Sequence, residues 1–317
     1  MLPLAMLVRA PSTASPSKAV WIDLASPSDA ERAEAEAETG LRLPEKEDIE
    51  EIETSSRVYE DQGALYLSTP LLTGGDCMRD LPASLGCVLT KDRLVTIHFV
   101  NLSALTELAT GCEKHPDRDV GELFLRLLEI IVDQTADALE RAGAELEAIS
   151  HAAFRAEAPS RRHARLSAEL RASLRRLGRI SDGVSHLRDS LLGVGRIATF
   201  VHETAGATGL TLAPTRLNAI RGDINSLNDY QAHLASKVQF LLDAMLGFIS
   251  IQQNDIVKTL TIVSVVGVPP VLIAGIYGMN FRFMPELAWP LGYPFALVVI
   301  VVSGLVPLAW LKWRGWM

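Results

Sequence analysis

The chain has 317 residues, of which 48% are hydrophobic, and its 30 basic and 38 acidic residues give a formal net charge of -8 at pH 7. This length is enough for a soluble domain and a small membrane domain. The acidic balance argues against a nucleic-acid partner, because no excess of basic residues is available to neutralise phosphates. The three cysteines, Cys77, Cys87 and Cys112, form no close ligand pair, and we expect them to be buried thiols in a reducing compartment.

The first part of the chain predicts an α+β domain in which most strands are antiparallel. Two acidic helices are expected early, one capped by Ser26 with Pro27 in its first turn, and one from Glu45 to Glu53. Alternation predicts a strand at 21–24, and strand-like segments lie at 57–60, 64–68, 85–90 and 94–99, with turns at 61–63 and 91–93.

The next part of the chain is helical. From Asp119 apolar residues recur at helical spacing, which predicts a helix that continues to about Ala156. After a turn at Pro159 we predict a basic helix that lies beside this acidic one and exposes a solvated charged face. Its arginines are Arg161, Arg162, Arg165, Arg171, Arg175, Arg176 and Arg179. A linker at 206–214 closes the domain, which we place at residues 1–214.

One long helix is predicted from Thr215 to Tyr277, which would be about 90 Å at 1.5 Å per residue. A helix of that length must leave a compact domain. Two stretches, 256–276 and 293–311, are apolar and long enough to cross roughly 30 Å of hydrocarbon. We therefore predict a stalk helix at 215–255, followed by a transmembrane domain at 256–317 with an outer loop at 277–292.

Positive residues indicate the orientation of these spans. Lys258 lies at the start of the first span, Lys312 and Arg314 follow the second, and the loop between the spans carries few charges. Cationic residues remain on the cytoplasmic side of membranes, so both termini are predicted to be cytoplasmic.

Two stripes run along the long helix at a spacing of three and four residues. One is apolar and contains Leu217, Ile220, Ile224, Leu227, Leu234, Val238, Leu241, Met245 and Phe248. The second stripe, which we call the polar stripe, lies roughly 200° away around the helix. It contains Ser226, Asp229, His233, Ser236, Phe240, Asp243, Gly247, Ser250 and Asn254, then Val257, Thr261, Ser264, Val268, Val271, Gly275 and Gly278. Small and polar residues inside a span face protein or water, so the polar stripe indicates helix packing or a pore face.

The segment Tyr277-Gly278-Met279-Asn280-Phe281 ends the first span, and Met284-Pro285-Glu286-Leu287 follows it. These residues, with Gln253-Asn254, Pro269-Pro270, Gly292-Tyr293-Pro294, Trp21-Ile22-Asp23-Leu24 and Asp48-Ile49-Glu50, resemble the CorA family of magnesium and cobalt transporters. The resemblance covers nearly the whole chain, strongly at the C-terminal end and loosely between residues 60 and 215.

The resemblance implies a mixed sheet and a homopentamer that forms a funnel-like channel. The implied function is passive uptake of hydrated magnesium, and of cobalt and nickel, across the inner membrane. Magnesium would be both the substrate and, from the cytoplasmic side, the ion that closes the pore. The acidic segment 45–53 is a candidate contributor to that regulation. No other cofactor is expected; the expected partners are divalent ions, membrane lipid and other copies of the chain.

The resemblance also implies roles for individual residues. Gly278, Met279 and Asn280 form the outer selectivity motif, where neutral oxygens would meet an ion that keeps its water. Asn280 alone is equally compatible with a helix C-cap. Leu260 and Val268 match hydrophobic constrictions that gate the pore. The predicted ion path further contains Asp243, Asn254, Thr261 and Ser264.

Two other functions stay open. The same architecture is compatible with zinc transport, with or without proton coupling, although that branch tends to lack the Met-Pro-Glu-Leu loop. A scaffold or sensor that its spans merely anchor in the membrane is the alternative of another class. We do not expect an enzyme, because His98, His115, His151 and His163 show no ligand spacing and are expected at the surface or with a single partner. No GxxxxGK[ST] loop is present for ATP-driven pumping.

Overall fold

The structure is a computed structural model that describes residues 8–11, 19–51, 53, 57–74, 76, 80–114, 119–155, 163–279, 284–285 and 289–316. Two compact units divide the chain, residues 1–242 and residues 243–317.

The first unit contains one mixed sheet. Its strands are β1 (Val8–Pro11), β2 (Ala19–Ala25), β3 (Val58–Asp61), β4 (Ala64–Leu72), β5 (Pro82–Leu89) and β6 (Leu94–His98). The strand order is β1-β2-β6-β5-β4-β3, and β2 pairs with β6 in parallel whereas the other pairs are antiparallel. The mixed sheet is therefore confirmed. Strand β1 was not predicted, because its Val-Arg-Ala-Pro sequence shows no sustained alternation.

Helices surround the sheet in the first unit. They are α1 (Asp29–Thr39), α2 (Lys46–Glu50), α3 (Ser103–Lys114), α4 (Val120–Arg155) and α5 (His163–Thr208), followed by α6 (Pro214–Tyr277). One face of the sheet packs on α1 and α2 through a cluster that includes Ile22, Val95, Ala35 and Ile49. Helix α5 packs on β4, and its Gly193 lies so close that an added Cβ would be 2.1 Å from Thr69 Oγ1.

The predicted start of α1 is wrong. The helix is capped by Ser28, whose hydroxyl accepts from the Glu31 backbone while the Glu31 carboxylate accepts from the Ser28 backbone. Ser26 is held by the sheet instead: it has a φ of 50°, and its hydroxyl donates to the Phe99 carbonyl at 3.1 Å. The complete capping box, Ser followed three residues later by Glu, is therefore the stronger start signal.

The prediction for α2 is too long. The helix ends at Glu50, and Glu51 already has an extended backbone with ψ 140°. Carboxylates at positions 47, 50, 51 and 53 would lie three and four residues apart in a longer helix and repel each other.

The expectation for His98 is also wrong. This residue is buried, with 5% exposure, and both of its ring nitrogens have partners. His151 is exposed and lies 3.1 Å from Glu147, as expected for a surface group. His115 and the side chain of His163 lie outside the described part. Of the cysteines, Cys87 and Cys112 are buried thiols as predicted, and Cys77 lies outside the described residues.

The long helices of the first unit are tied together by charged and apolar contacts. Arg176 donates to Glu145 through Nε at 2.7 Å, which places the basic helix α5 against the acidic helix α4 as predicted. Arg171, Arg175 and Arg179 are exposed, as expected for a solvated face. Gln231 of α6 donates to the Val184 carbonyl of α5 at 3.3 Å.

The second unit consists of the C-terminal part of α6 and α7 (Gly292–Trp313). Both helices are long and apolar enough to cross a membrane. Almost none of their apolar window is buried, unlike the core helix of a soluble protein. The first helix ends at Tyr277, close to the predicted end of the first span at 276, and α7 covers the predicted second span at 293–311.

Candidate ion pathway

In the first unit the two predicted stripes of α6 differ in burial. The apolar stripe is buried against the rest of the unit at Leu217, Ile220, Ile224, Leu234, Val238 and Leu241. The polar stripe is exposed at Ser226, Asp229, His233, Ser236 and Phe240. Helices α4 and α5 therefore cover one side of α6 and leave the polar stripe open.

In the second unit α7 packs against one side of α6. A Cβ added to Gly304 of α7 would lie 3.3 Å from Pro270 Cγ and 3.6 Å from the Val266 carbonyl oxygen, so the two helices touch at this point. Small residues permit such close approach between membrane helices. Most of the partly buried residues between 256 and 277 recur around the same side: Lys258, Ile262, Val266, Pro269, Pro270, Ile273 and Tyr277. Thr261, also partly buried, lies on the other side.

The polar stripe runs along the opposite side of α6 in this unit. At 100° per residue its members Val257, Ser264, Val268 and Gly275 lie within about 40° of the direction opposite Val266. Val257 and Val268 are both 60% exposed, and Asn254, Ser264 and Gly275 are also exposed. Thus α7 leaves the stripe uncovered except at Thr261, which is half-buried.

The predicted path residues carry few charges. Asp243 and Asn254 are exposed on α6. Thr261 is half-buried, and its hydroxyl donates to the Val257 carbonyl at 2.8 Å within the helix, which leaves its oxygen lone pairs to accept. Within the described residues, no group of three His, Cys, Asp or Glu side chains is placed to hold a metal ion. The stripe thus offers neutral oxygens.

The two predicted gate residues are exposed apolar side chains. Leu260 is 66% exposed and Val268 is 60% exposed, and both lie away from α7 on α6. Pro269 and Pro270 stand directly after Val268 inside the helix. A proline donates no backbone hydrogen bond, so the carbonyls of the preceding turn lose helical partners.

The selectivity motif follows the end of α6. Gly278 donates to the Ala274 carbonyl at 3.0 Å and Met279 to the Ile276 carbonyl at 3.2 Å, so the last turn continues into the motif. Gly278 is exposed and Met279 is 48% exposed. Asn280 lies outside the described residues, as do Phe281, Glu286 and Leu287, so neither proposed role of Asn280 is tested.

The end of α7 has the residues of a membrane interface. The Arg314 guanidinium lies 5.2 Å from the ring centre of Trp310, and Trp313 is 84% exposed. Tryptophan and basic residues occur together where a span leaves the hydrocarbon.

Sequence reasoning missed the contact at Gly304. Helix α7 is apolar on all sides, so no periodic pattern indicates which side faces α6. The one usable signal was a glycine inside a span.

A sheet-and-helix unit whose last helix continues into the first of two apolar C-terminal helices defines a class of two-span membrane protein. The family model described as CorA-like Mg2+ transporter protein matches residues 16–313, and the chain belongs to this family.

Individual relatives match over nearly their whole length. The magnesium transport proteins CorA of Salmonella typhimurium and of Escherichia coli K12 are each 33% identical over 301 residues, which cover 94% of this chain and 92% of the relative. The complete CorA magnesium transporter of Methanocaldococcus jannaschii superposes with a TM-score of 0.75 at 21% identity, over 96% of this chain and 93% of that one. The full-length CmaX protein gives a TM-score of 0.60 at 15% identity, over 93% and 88%.

Proposed function

We propose that this protein is a homopentameric, channel-like importer of hydrated divalent cations across the inner membrane. Magnesium is the physiological ion, and cobalt and nickel are also carried. The observation that carries this proposal is the uncovered polar stripe of α6, in a chain that matches the family over residues 16–313. The relatives at 33% identity are named magnesium transport proteins, which supports magnesium as the ion.

The chemistry of the stripe suits an ion that keeps its water. Magnesium dehydrates reluctantly and usually retains several waters when it binds. Asn254 and Thr261 supply neutral oxygens, and the spans lack Asp and Glu at the stripe positions. Amides and hydroxyls can accept from the hydration shell without trapping the ion by charge.

Influx needs no chemical fuel. A divalent cation gains roughly 4.6 kcal/mol at about 100 mV, inside negative, from about 2.3 kcal/mol per charge. The cationic residues Lys258, Lys312 and Arg314 support an orientation with both termini in the cytoplasm. The selectivity motif at 278–280 then faces outward and meets the ion first.

Assembly follows from the exposure of the stripe. Two helices cannot enclose a pore, and α7 contacts the side of α6 opposite to the stripe. Several copies must therefore place their stripes around one axis, for which the family supports five. Leu260 and Val268 of each copy then form apolar rings that gate by dewetting.

Regulation by cytoplasmic magnesium belongs to the same proposal. Helix α2 and its flanks present exposed carboxylates at Glu45, Glu47, Asp48 and Glu50 in the first unit. Carboxylate oxygens are ligands that magnesium prefers, which supports a contribution of this segment to closing the pore.

The test is ion uptake by the purified full-length protein in liposomes under an inside-negative potential. We expect magnesium uptake that cobalt and nickel share and that hexaamminecobalt, a mimic of a hydrated ion, blocks. Zinc uptake without magnesium uptake would favour the zinc alternative, and a proton gradient then tests for coupling. A folded oligomer that moves no ion would favour the anchored scaffold.

A further inference from the structure

The motif Trp21-Ile22-Asp23-Leu24 contributes to a buried polar network that ion transport does not use. Trp21 Nε1 donates to Thr96 Oγ1 at 2.9 Å, and Thr96 Oγ1 donates to Asp23 Oδ1 at 2.6 Å. His98 Nε2 lies 3.3 Å from each carboxylate oxygen of Asp23. Trp21, Thr96 and His98 are at least nine-tenths buried, and the Asp23 side chain keeps 12% exposure, so the network is almost closed to solvent.

The partners of His98 determine how many protons it needs. Nδ1 lies 2.8 Å from the Val100 carbonyl oxygen, which can only accept, so this nitrogen carries a hydrogen. Nε2 faces the Asp23 carboxylate, which also accepts when ionised. Both contacts are satisfied together only when one further proton lies between the imidazole and the carboxylate. With that proton the pair is neutral overall, and without it a buried negative charge remains.

The charged surroundings of the pair are sparse. The structure describes three buried residues with an acidic or basic side chain, and these are Asp23, Arg93 and His98. Arg93 lies just before the start of β6, at the opposite end from His98, and contacts Glu38. On β5, Cys87 stands opposite Thr96, and burial followed by the charge of Asp23 raises the pKa of its thiol to about 12, so it stays neutral.

The pKa of His98 follows from these contacts. Burial alone lowers it, but the hydrogen bond and charge of Asp23, with the Val100 carbonyl, outweigh burial and raise the pKa above its ordinary value. A group whose pKa is raised by folding stabilises the fold fully below its unfolded pKa of about 6.5. That stabilisation is lost as the pH rises through the folded pKa.

We propose that the Asp23–His98 pair is a proton-dependent lock between the carboxyl ends of the parallel strands β2 and β6. The two strands leave the sheet beside this pair, toward α1 and α3, and Ser26 is bonded to the His98 carbonyl at 2.7 Å. Loss of the proton leaves the Asp23 carboxylate buried with Thr96 as its hydrogen-bond donor, which is costly for an uncompensated charge. The sheet of the first unit then opens more readily at alkaline than at neutral pH.

Cys87 is a built-in reporter of this opening, because its buried thiol reacts only when the sheet admits a reagent. Full-length protein carrying Cys77→Ser is pulse-labelled with a neutral alkylating reagent between pH 6 and 9, and labelling of Cys87 is resolved by mass spectrometry. The rate in denaturant at the same pH is divided by this native rate, which removes the titration of the thiol itself and gives a protection factor.

In the protein that carries only Cys77→Ser, we expect the protection factor of Cys87 to fall with rising pH. The fall is at most about tenfold per pH unit, because one proton is lost. His98→Asn and Asp23→Asn should lower the protection at neutral pH and abolish this fall. His186→Asn, on α5, should keep it. A flat profile in the unsubstituted protein, or an equal fall in His98→Asn, would overturn the proposal. The profile of the unsubstituted protein decides the question even if His98→Asn fails to fold.

Discussion

Two glycines of α5 differ in the space around them, so alanine substitutions at the two positions can be compared directly. A Cβ at Gly193 would lie 2.1 Å from Thr69 Oγ1 and 3.3 Å from Pro70 Cδ, whereas nothing lies within 4 Å of a Cβ at Gly178. We predict that Gly193→Ala destabilises the first unit by about 1–3 kcal/mol through overpacking. Gly178→Ala should stabilise it by up to about 1 kcal/mol, because alanine favours helix. Urea unfolding followed by circular dichroism measures both, and equal effects would contradict the close packing of α5 on β4.

Asn280 is the residue on which ion selection depends in our proposal. We predict that Asn280→Ala abolishes magnesium uptake in liposomes, because the change removes the amide oxygen that meets the hydration shell. Size-exclusion chromatography should show an unchanged oligomer. Asn225→Ala, which removes an exposed amide elsewhere on α6, is the control and should transport normally. Normal uptake by Asn280→Ala would refute its selectivity role.

Leu260 is an apolar residue of α6 that is 66% exposed, and our proposal places it in a ring around the ion path. We predict that Leu260→Gly or Leu260→Asp raises flux at high internal magnesium, because a wider or wetter constriction no longer dewets. Leu260→Met keeps the volume and should stay closed. If internal magnesium suppresses flux equally in all these proteins, the gate lies elsewhere.

At the scale of elements, most strands and helices could be predicted because burial imposes a period on them. Strands β4 and β6 are buried at almost every position and therefore stand out as short runs between turn residues. Helix α4 buries Leu123, Leu127, Ile130 and Ile131 at helical spacing as predicted. The features that the sequence analysis did not predict, strand β1 and the cap of α1, lack such a period. Strand β1 pairs only at the sheet edge, and the cap of α1 depends on Ser28 and Glu31 acting together. Such ends are set by individual hydrogen bonds rather than by a pattern.

Arg216 connects the first turn of α6 to α4. It donates to Glu122 at 2.6 Å through Nη1 and to Glu129 at 2.8 Å through Nη2. We predict that Arg216→Ala lowers the stability of the first unit by about 1 kcal/mol, since the group is partly exposed and screened. Arg216→Lys should recover only part, because lysine lacks the planar fork.

The control for Arg216 is Arg221→Ala, five residues further along α6. Arg221 forms no ion pair within the described part of the chain, unlike Arg216. Urea unfolding of the three variants checks the prediction. An Arg221→Ala effect as large as that of Arg216→Ala would mean that the loss is general to cationic residues on this helix.

At the scale of the whole molecule, the polar stripe was predictable because small and polar residues stand out within an apolar span. The side of α6 that meets α7 was not, since both helices are apolar there and only the close contact at Gly304 defines it. The network around His98 was also missed. Asp23 and His98 are 75 residues apart, and the parallel pairing of β2 with β6 brings them together. Contacts over such separations leave no periodic trace in one sequence.

Asp243 tests whether several copies act as one pore. It is exposed on the polar stripe of α6, at the start of the second unit, and precedes Asn254 by eleven residues. Around a common axis its carboxylates would form a ring that concentrates cations at the inner mouth. The attraction of such a ring is screened over about 8 Å at physiological ionic strength.

We therefore predict that Asp243→Asn lowers magnesium flux in liposomes at low ionic strength and matters less at high ionic strength. Asp189→Asn neutralises an exposed carboxylate on α5, away from the stripe, and should change neither value. Asp229→Asn changes a second carboxylate of the same stripe, within the first unit. A similar salt-dependent loss of magnesium flux in this variant would indicate that Asp229 also contributes to attracting cations. A ring that attracts cations must weaken with salt. Equal flux by Asp243→Asn and the unsubstituted protein at both ionic strengths would therefore mean that Asp243 belongs to an ordinary solvated helix face.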